Sequence, residues 1–92
     1  MRQYVLSAGT GNLELKYFKT MMLGEGDATK FYGVSVEKYI DGKFAEEMES
    51  GPFTEDIAEA DETIDKLAEN CVMPFDLCAT LDAMHCNALT QI

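Results

Sequence analysis

Basic residues are scarce in this chain, and its second half has almost none. Seven Lys and Arg stand against 17 Asp and Glu, which gives a net charge of −10. Residues 44–92 contain twelve of these acids and one base, Lys66, whereas residues 1–43 are nearly neutral. Such a surface repels phosphate backbones, so nucleic acid is not an expected partner. The acidity indicates either a solvated helical face or a docking surface for a basic protein.

Long apolar runs are also absent, and cysteines are few. No stretch reaches the roughly 20 apolar residues that a membrane-spanning helix needs. The segment MRQYVLSAGTGNLEL has too short an apolar patch for a secretion signal. Three cysteines, an odd number, predict reduced thiols rather than disulfides. Together these absences predict a cytoplasmic protein with no membrane partner.

The residues that are present predict strands in the first half. Apolar residues make up 47% of the chain, enough for the core of one small domain spanning residues 1–92. The segment LELKYFKTMM alternates with Leu15 and Tyr17 on one side, and KFYGVSVEKYI alternates with Val34 and Val36 on one side. This period of two is typical of half-buried strands. Residues 1–12 form either a flexible leader or an extra strand.

The segment YIDGKF predicts a tight turn with two competing registers. A two-residue Asp41-Gly42 turn pairs Tyr39 with Phe44, whereas a three-residue turn that ends in a bulge pairs Lys38 with Phe44. A slip of one residue reverses every side chain, so the apolar face decides between them. The longer turn places both Phe44 and Met48 on the apolar face, and we therefore expect it.

The second half predicts two helices. One apolar stripe recurs at helical spacing and ends near a cap at Asn70; it contains Ile57, Ala60, Ile64, Leu67 and Cys71. Pro74 fits the first position of a second helix, whose stripe contains Leu77, Cys78, Leu81, Met84 and His85. The predicted fold is α+β: an antiparallel β-meander of three or four strands, followed by two C-terminal α-helices packed on one sheet face.

The segment AENCVMPFDLCATLDAMHC raises the question of metal or thiol chemistry. Zinc-binding pairs are typically two to four residues apart, whereas Cys71, Cys78 and Cys86 are separated by seven and eight. His85 and Cys86 are adjacent, and neighbouring helix residues point about 100° apart. We therefore predict that Cys71 and Cys78 pack in the core, and that the protein holds no metal or cofactor.

The other motifs do not predict catalysis. The glycines of SAGTGN precede a strand and lack a following Gly-Lys-Ser/Thr, so they indicate a turn or leader rather than a phosphate loop. No third group is identifiable that would orient a Cys–His pair. The acids recur at surface positions of helices, so no catalytic pair stands out among them. We predict that the protein is not an enzyme and has no catalytic residue.

Three aromatic residues have no place in the predicted core. Phe18, Phe31 and Tyr39 alternate away from the apolar side of their strands. Because two helices cover only one face of a three-stranded sheet, these rings mark a candidate interaction surface on the other face. The surface predicts a homodimer or an unidentified protein partner. The alternative is that the N-terminal QYVL folds back over the rings.

The segments FYGVSVEKYIDGKFAEEME and DIAEADETIDKLAENCVMPFDLCATLDAM resemble the DUF6514 family, a small bacterial family of unknown function seen mainly in Clostridia. The resemblance covers residues 31–84 and lies in the strand Tyr32-Gly33-Val34, the helix entry Asp56-Ile57 and the helix–Pro–helix end with Pro74, Leu77 and Leu81. It supports the α+β fold and implies no activity, cofactor or catalytic residue. We expect a non-enzymatic interaction or regulatory module, with an acidic inhibitor or mimic of a basic protein's partner as the alternative.

Overall fold

A computed structural model describes residues 1–24 and 29–90, with side chains as far as Met84. Four antiparallel strands form one sheet in the order β1-β2-β3-β4, and two helices follow. The elements are β1 (Arg2–Ala8), β2 (Leu13–Leu23), β3 (Lys30–Ile40), β4 (Lys43–Glu49), α1 (Ile57–Glu69), a 3-10 turn (Pro74–Asp76) and α2 (Leu77–Thr90). This confirms the predicted α+β meander. It has four strands because residues 2–8 form β1, the extra strand that the N-terminal segment was expected either to add or to leave out as a flexible leader. None of the described helices is long and apolar enough to span a membrane.

The core lies between the sheet and the two helices. Alternate residues of β2 and β3 point to this side, as their period of two predicted, and the stripes of α1 and α2 meet them. The buried apolar side chains include Leu15, Tyr17, Val34, Val36, Ile64, Leu67, Leu77 and Leu81. Full burial of one such side chain contributes about 1.5–3 kcal/mol to stability.

Two residues of the predicted apolar helix stripes, one from each helix, lie outside this core. Ile57 opens α1 and is 49% exposed, and Cys78 is also exposed. The prediction of a buried Cys78 is therefore wrong. Leu77 and Leu81 face the sheet, and a residue directly after Leu77 points about 100° away from it on a helix. Cys71 is half-buried and packs against the core, as predicted.

The turn between β3 and β4 differs from the expected one. It is the two-residue Asp41-Gly42 turn, with φ of 53° and 78°, and it pairs Tyr39 with Phe44. Both residues tolerate positive φ, and this turn matches the twist of the two strands. Ala45 then forms a bulge in β4, which brings Met48 opposite Val36. Met48 therefore faces the helices as predicted, but Phe44 lies on the other face.

The ends of α1 explain where the helix starts and stops. The Asp56 side chain caps the first turn by accepting a hydrogen bond from the Ala58 amide at 2.9 Å. Asn70 is the C-terminal cap, as predicted, and Cys71 follows it with φ of 49°. The amides of Cys71 and Val72 donate back to carbonyls of the last turn, which is a Schellman motif. The chain thereby reverses toward the 3-10 turn.

Candidate interaction surface

The sheet has one closed face and one open face. The helices cover the closed face, and cross-strand pairs show which residues share the other. We call this other side the open face; its larger residues are Arg2, Tyr4, Glu14, Lys16, Phe18, Met22, Phe31, Glu37, Tyr39, Phe44, Glu47 and Glu49.

All three aromatic residues singled out in the sequence lie on the open face, and each is half-buried. Phe18 stands opposite Ser35 near the middle of the sheet. Phe31 and Tyr39 lie toward opposite ends of β3. Their shared face agrees with the alternation in the sequence, while their role in binding stays a prediction.

Side chains of the same chain cover part of these rings. Tyr4 meets Phe18 edge to face, with 5.8 Å between ring centroids, and the Arg2 guanidinium lies 4.2 Å above the Phe18 centroid. Cation–π contacts of this kind are typical of Arg beside aromatic rings. The N-terminal QYVL segment thus extends the sheet as β1 and partly shields Phe18. This outcome is close to the alternative raised from the sequence.

A similar arrangement covers Tyr39 at the other end. The Lys16 ammonium lies 4.7 Å from the Tyr39 ring centroid, and the Phe44 ring stands edge-on at 5.9 Å. The most exposed aromatic side chains of the open face are therefore Tyr4, at 53%, and Phe44, at 59%. Sequence reasoning missed both, because their positions depend on β1 joining the sheet and on the register of β4.

Arg2 also ties three strands together across the open face. From β1 it extends over Phe18 and donates to Glu37 on β3 and to Glu47 on β4, the latter at 3.0 Å. Desolvation alone would raise the pKa of the Glu37 carboxyl. Hydrogen bonds from Tyr39, at 2.8 Å, and from Arg2 outweigh it, so the pKa lies below its ordinary value. Glu37 therefore stays ionised, and its charge holds Arg2 in place.

A cavity opens beside this network, where β4 leaves the sheet. It has a volume of about 210 Å³, and we call it the Phe31 cavity; its lining includes Arg2, Thr20, Met22, Phe31, Glu49 and Pro52. Gly33 beside it leaves no room for a side chain, since a Cβ atom there would lie 2.4 Å from the Gly51 carbonyl oxygen and 2.8 Å from the Thr20 hydroxyl. In the Tyr32-Gly33-Val34 segment, on which the family resemblance partly rests, the glycine is therefore required by close packing.

Both edge strands of the sheet are interrupted by a bulge. Val5 is the additional residue in β1, and Ala45 is the additional residue in β4. Bulges twist an edge and disturb its row of free backbone groups, which hinders the addition of another strand. The open face is therefore better suited to a contact than either edge.

The cysteine-rich segment is dispersed as far as the structure describes it. Cys71 is half-buried and Cys78 exposed, while the side chains of His85 and Cys86 lie outside the described residues. No group of three metal-binding side chains occurs in the described part of the chain. Residues 9–12 of the SAGTGN segment form the turn between β1 and β2, as one of its two interpretations predicted, while Ser7 and Ala8 end β1. The absence of a metal stays a prediction.

The fold and this surface define a class: a small α+β protein with one sheet face closed by helices and one face that is aromatic, acidic and open. The chain belongs to the DUF6514 family, a family of unknown function, whose model matches residues 2–87. The match confirms the family that residues 31–84 resemble and extends it over β1 and β2. No curated protein and no solved structure matches the chain.

Proposed function

We propose that the protein is a non-enzymatic interaction module of the bacterial cytoplasm that binds another protein through the open face. One observation carries this proposal: aromatic rings, a methionine and carboxylates share an uncovered sheet face. Tyr4, Phe44 and Met22 each expose more than half of their surface there. Aromatic residues and methionine are enriched in protein interfaces, and exposed apolar patches often mark them.

The expected partner carries a basic surface. Four acids of the open face, Glu14, Glu37, Glu47 and Glu49, outnumber its two bases, Arg2 and Lys16. The chain as a whole has a charge of −10. A second copy would bring the same sign to the contact, whereas a cationic protein would be attracted. The homodimer is thus the competing outcome rather than the proposed one.

The acidic face of α1 supports a second candidate function. Its exposed residues include Glu59, Glu62, Asp65 and Glu69, against the single base Lys66, which pairs with Glu62 at 3.3 Å. A row of this kind fits an acidic inhibitor or mimic that occupies a basic protein surface. In that case α1 would form the contact, and the open face would not.

A peptide-display experiment tests the proposal without a known partner. Random peptides are selected for binding to the wild type and then measured against two variants. Tyr4→Ser combined with Phe44→Ser alters the open face, and Glu62→Gln combined with Glu69→Gln alters α1 as a matched exposed control. We expect enriched peptides rich in Lys or Arg beside apolar residues, with affinity lost only in the open-face variant.

Three outcomes would overturn the proposal. Loss of binding only in the α1 variant would favour the acidic mimic. Failure to enrich any peptide that depends on the open face would remove the binding role of that face. Sedimentation over a wide range of concentrations gives the third: a dimer that Phe31→Asp abolishes would make a second copy the occupant.

A further inference from the structure

The Phe31 cavity differs from the rest of the open face because it is concave and has walls of two kinds. Met22, Phe31 and Pro52 provide apolar surface, while Thr20 and Glu49 provide polar groups. Sites for small-molecule ligands usually measure roughly 300–1,000 Å³. At about 210 Å³ the cavity is smaller than these. Its size suits one long side chain of a partner.

The far wall of the cavity is held in place before any partner binds. Residues 50–54 follow β4 and remain attached to β3: the Ser50 amide donates to the Val34 carbonyl at 2.9 Å, and the Phe53 amide donates to the Tyr32 carbonyl at 2.9 Å. The Ser50 hydroxyl accepts from the Val34 amide at 3.1 Å. Pro52 lies between these contacts. A preformed wall lowers the entropy lost on binding.

The charges around the cavity leave one carboxylate without a counterion. Glu37 and Glu47 both pair with Arg2, and the Met1 amino group, which also lines the cavity, donates to the Met21 carbonyl oxygen at 3.2 Å. Among the described ion pairs, none involves Glu49. Arg2 and the Met1 amino group bring two positive charges against three negative charges from Glu37, Glu47 and Glu49, so the charged groups at this site sum to a surplus of one negative charge. That surplus favours a cation and repels a carboxylate.

We infer that the Phe31 cavity receives an arginine or lysine side chain of the bound partner, an inference that rests on the proposed function. The aliphatic stem packs between Met22, Phe31 and Pro52, and the cationic head pairs with Glu49. Long basic side chains commonly bury their stem against apolar surface in this way. Arginine is the better fit, because its planar head both pairs with a carboxylate and stacks on an aromatic ring.

A titration with blocked amino acids tests this subsite directly. N-acetyl-arginine amide is added to the isotope-labelled protein, and backbone amide shifts are recorded; N-acetyl-citrulline amide, its neutral isostere, is the ligand control. We expect arginine to shift the amides of Phe31, Gly33 and Gly51 most. Citrulline should shift them far less.

Two variants complete the design. Glu49→Gln should weaken arginine binding about two- to fivefold, the change that corresponds to an exposed charge pair. Glu69→Gln removes an exposed acid of α1 and should leave the binding unchanged. Retention of the wild-type amide spectrum elsewhere shows that both variants fold.

Three results would overturn the inference. The citrulline and arginine ligands could shift the same backbone amides equally, the amides of the acidic residues of α1 could shift as much as those at the cavity, or no localised shift could appear. If one of these results is found while the peptide-display experiment still selects peptides that bind the open face, only the cation subsite is rejected. The absence of open-face peptides together with a localised arginine shift would reject the proposed function and leave only a cation site.

Discussion

The hydroxyl of Tyr17 donates a hydrogen bond to the carbonyl oxygen of Val72 at 2.9 Å, although 55 residues separate the two in sequence. It also lies 3.4 Å from the Leu67 carbonyl oxygen. Tyr17 is fully buried at the centre of the closed face, and Val72 follows the C-terminal cap of α1. The contact therefore joins the sheet to the point where the chain leaves the helix.

Replacing Tyr17 by Phe is expected to destabilise the protein by about 1 kcal/mol, because it removes a buried hydrogen bond and leaves carbonyl oxygens with fewer donors. For a chain of this size that corresponds to a decrease in Tm of about 4–8 °C. Tyr4→Phe is the matched control on the open face, since the exposed Tyr4 hydroxyl lies 2.7 Å from the exposed Ser7 hydroxyl. Its expected cost is below about 0.5 kcal/mol. Equal losses in the two variants would contradict the structural role of Tyr17.

Alkaline pH provides a second test of the same residue. Burial is the main cause that raises the pKa of Tyr17 above its ordinary value, with a further contribution from nearby Cys71. The unfolded chain therefore loses this proton first, above about pH 10. Stability from Tyr17 is complete below that pH and declines as the pH rises further. Denaturant midpoints of the wild type should fall more steeply above about pH 10 than those of Tyr17→Phe.

Two serines near the Phe31 cavity should respond in opposite directions to replacement by Ala. Ser35 is fully buried, and its hydroxyl lacks a hydrogen-bond partner among the described residues. Ser35→Ala removes an unsatisfied polar group and should leave stability unchanged or raise it by up to about 1 kcal/mol. Ser50→Ala removes the acceptor of the Val34 amide and should cost about 1 kcal/mol. Urea denaturation measures both, and a loss at Ser35 as large as that at Ser50 would argue against this assignment.

Cys71 holds a left-handed backbone conformation that favours glycine, and the Schellman motif requires it there. Cys71→Gly relieves about 1 kcal/mol of backbone strain but removes a half-buried side chain, so we expect a net change within about 1 kcal/mol. Cys71→Val keeps an apolar side chain and adds a branch at Cβ that the left-handed region disfavours. It should be less stable than Cys71→Gly by about 1 kcal/mol or more. Thermal unfolding of the two variants in parallel checks this order.

Much of the fold follows from local patterns. The alternation around Tyr17 and Val34 places the correct faces of β2 and β3 in the core, because side chains of a strand alternate whatever the strand packs against. The stripe of Ile64 and Leu67 places the correct face of α1 for the same kind of reason. Asn70 also ends the helix as its type suggests. These features depend on backbone geometry over a few residues.

The register of β4 could not be decided in this way. A longer turn would place both Phe44 and Met48 on the apolar face, and it was therefore expected. The chain instead uses the tighter Asp41-Gly42 turn, and the bulge at Ala45 shifts the register so that only Met48 lies on that face. A bulge leaves little trace in composition, because residues as different as Val5 in β1 and Ala45 in β4 form one here. The prediction that Cys78 is buried was wrong for a related reason. Its position on the stripe was marginal, and only the docking of α2 determines how wide the buried stripe is.

The sequence by itself determined the order of strands and helices, the acidic character of the second half and the face on which Phe18, Phe31 and Tyr39 lie. Only the tertiary structure decided what covers those rings and what remains exposed. Arg2 on β1 pairs with Glu37 on β3 and with Glu47 on β4. The Phe31 cavity likewise combines residues that are far apart in the chain, from Arg2 to Pro52. Periodicity sets the direction of a side chain within its own element. Contacts between residues far apart in the chain depend on strand pairing and register, which only the folded chain as a whole establishes.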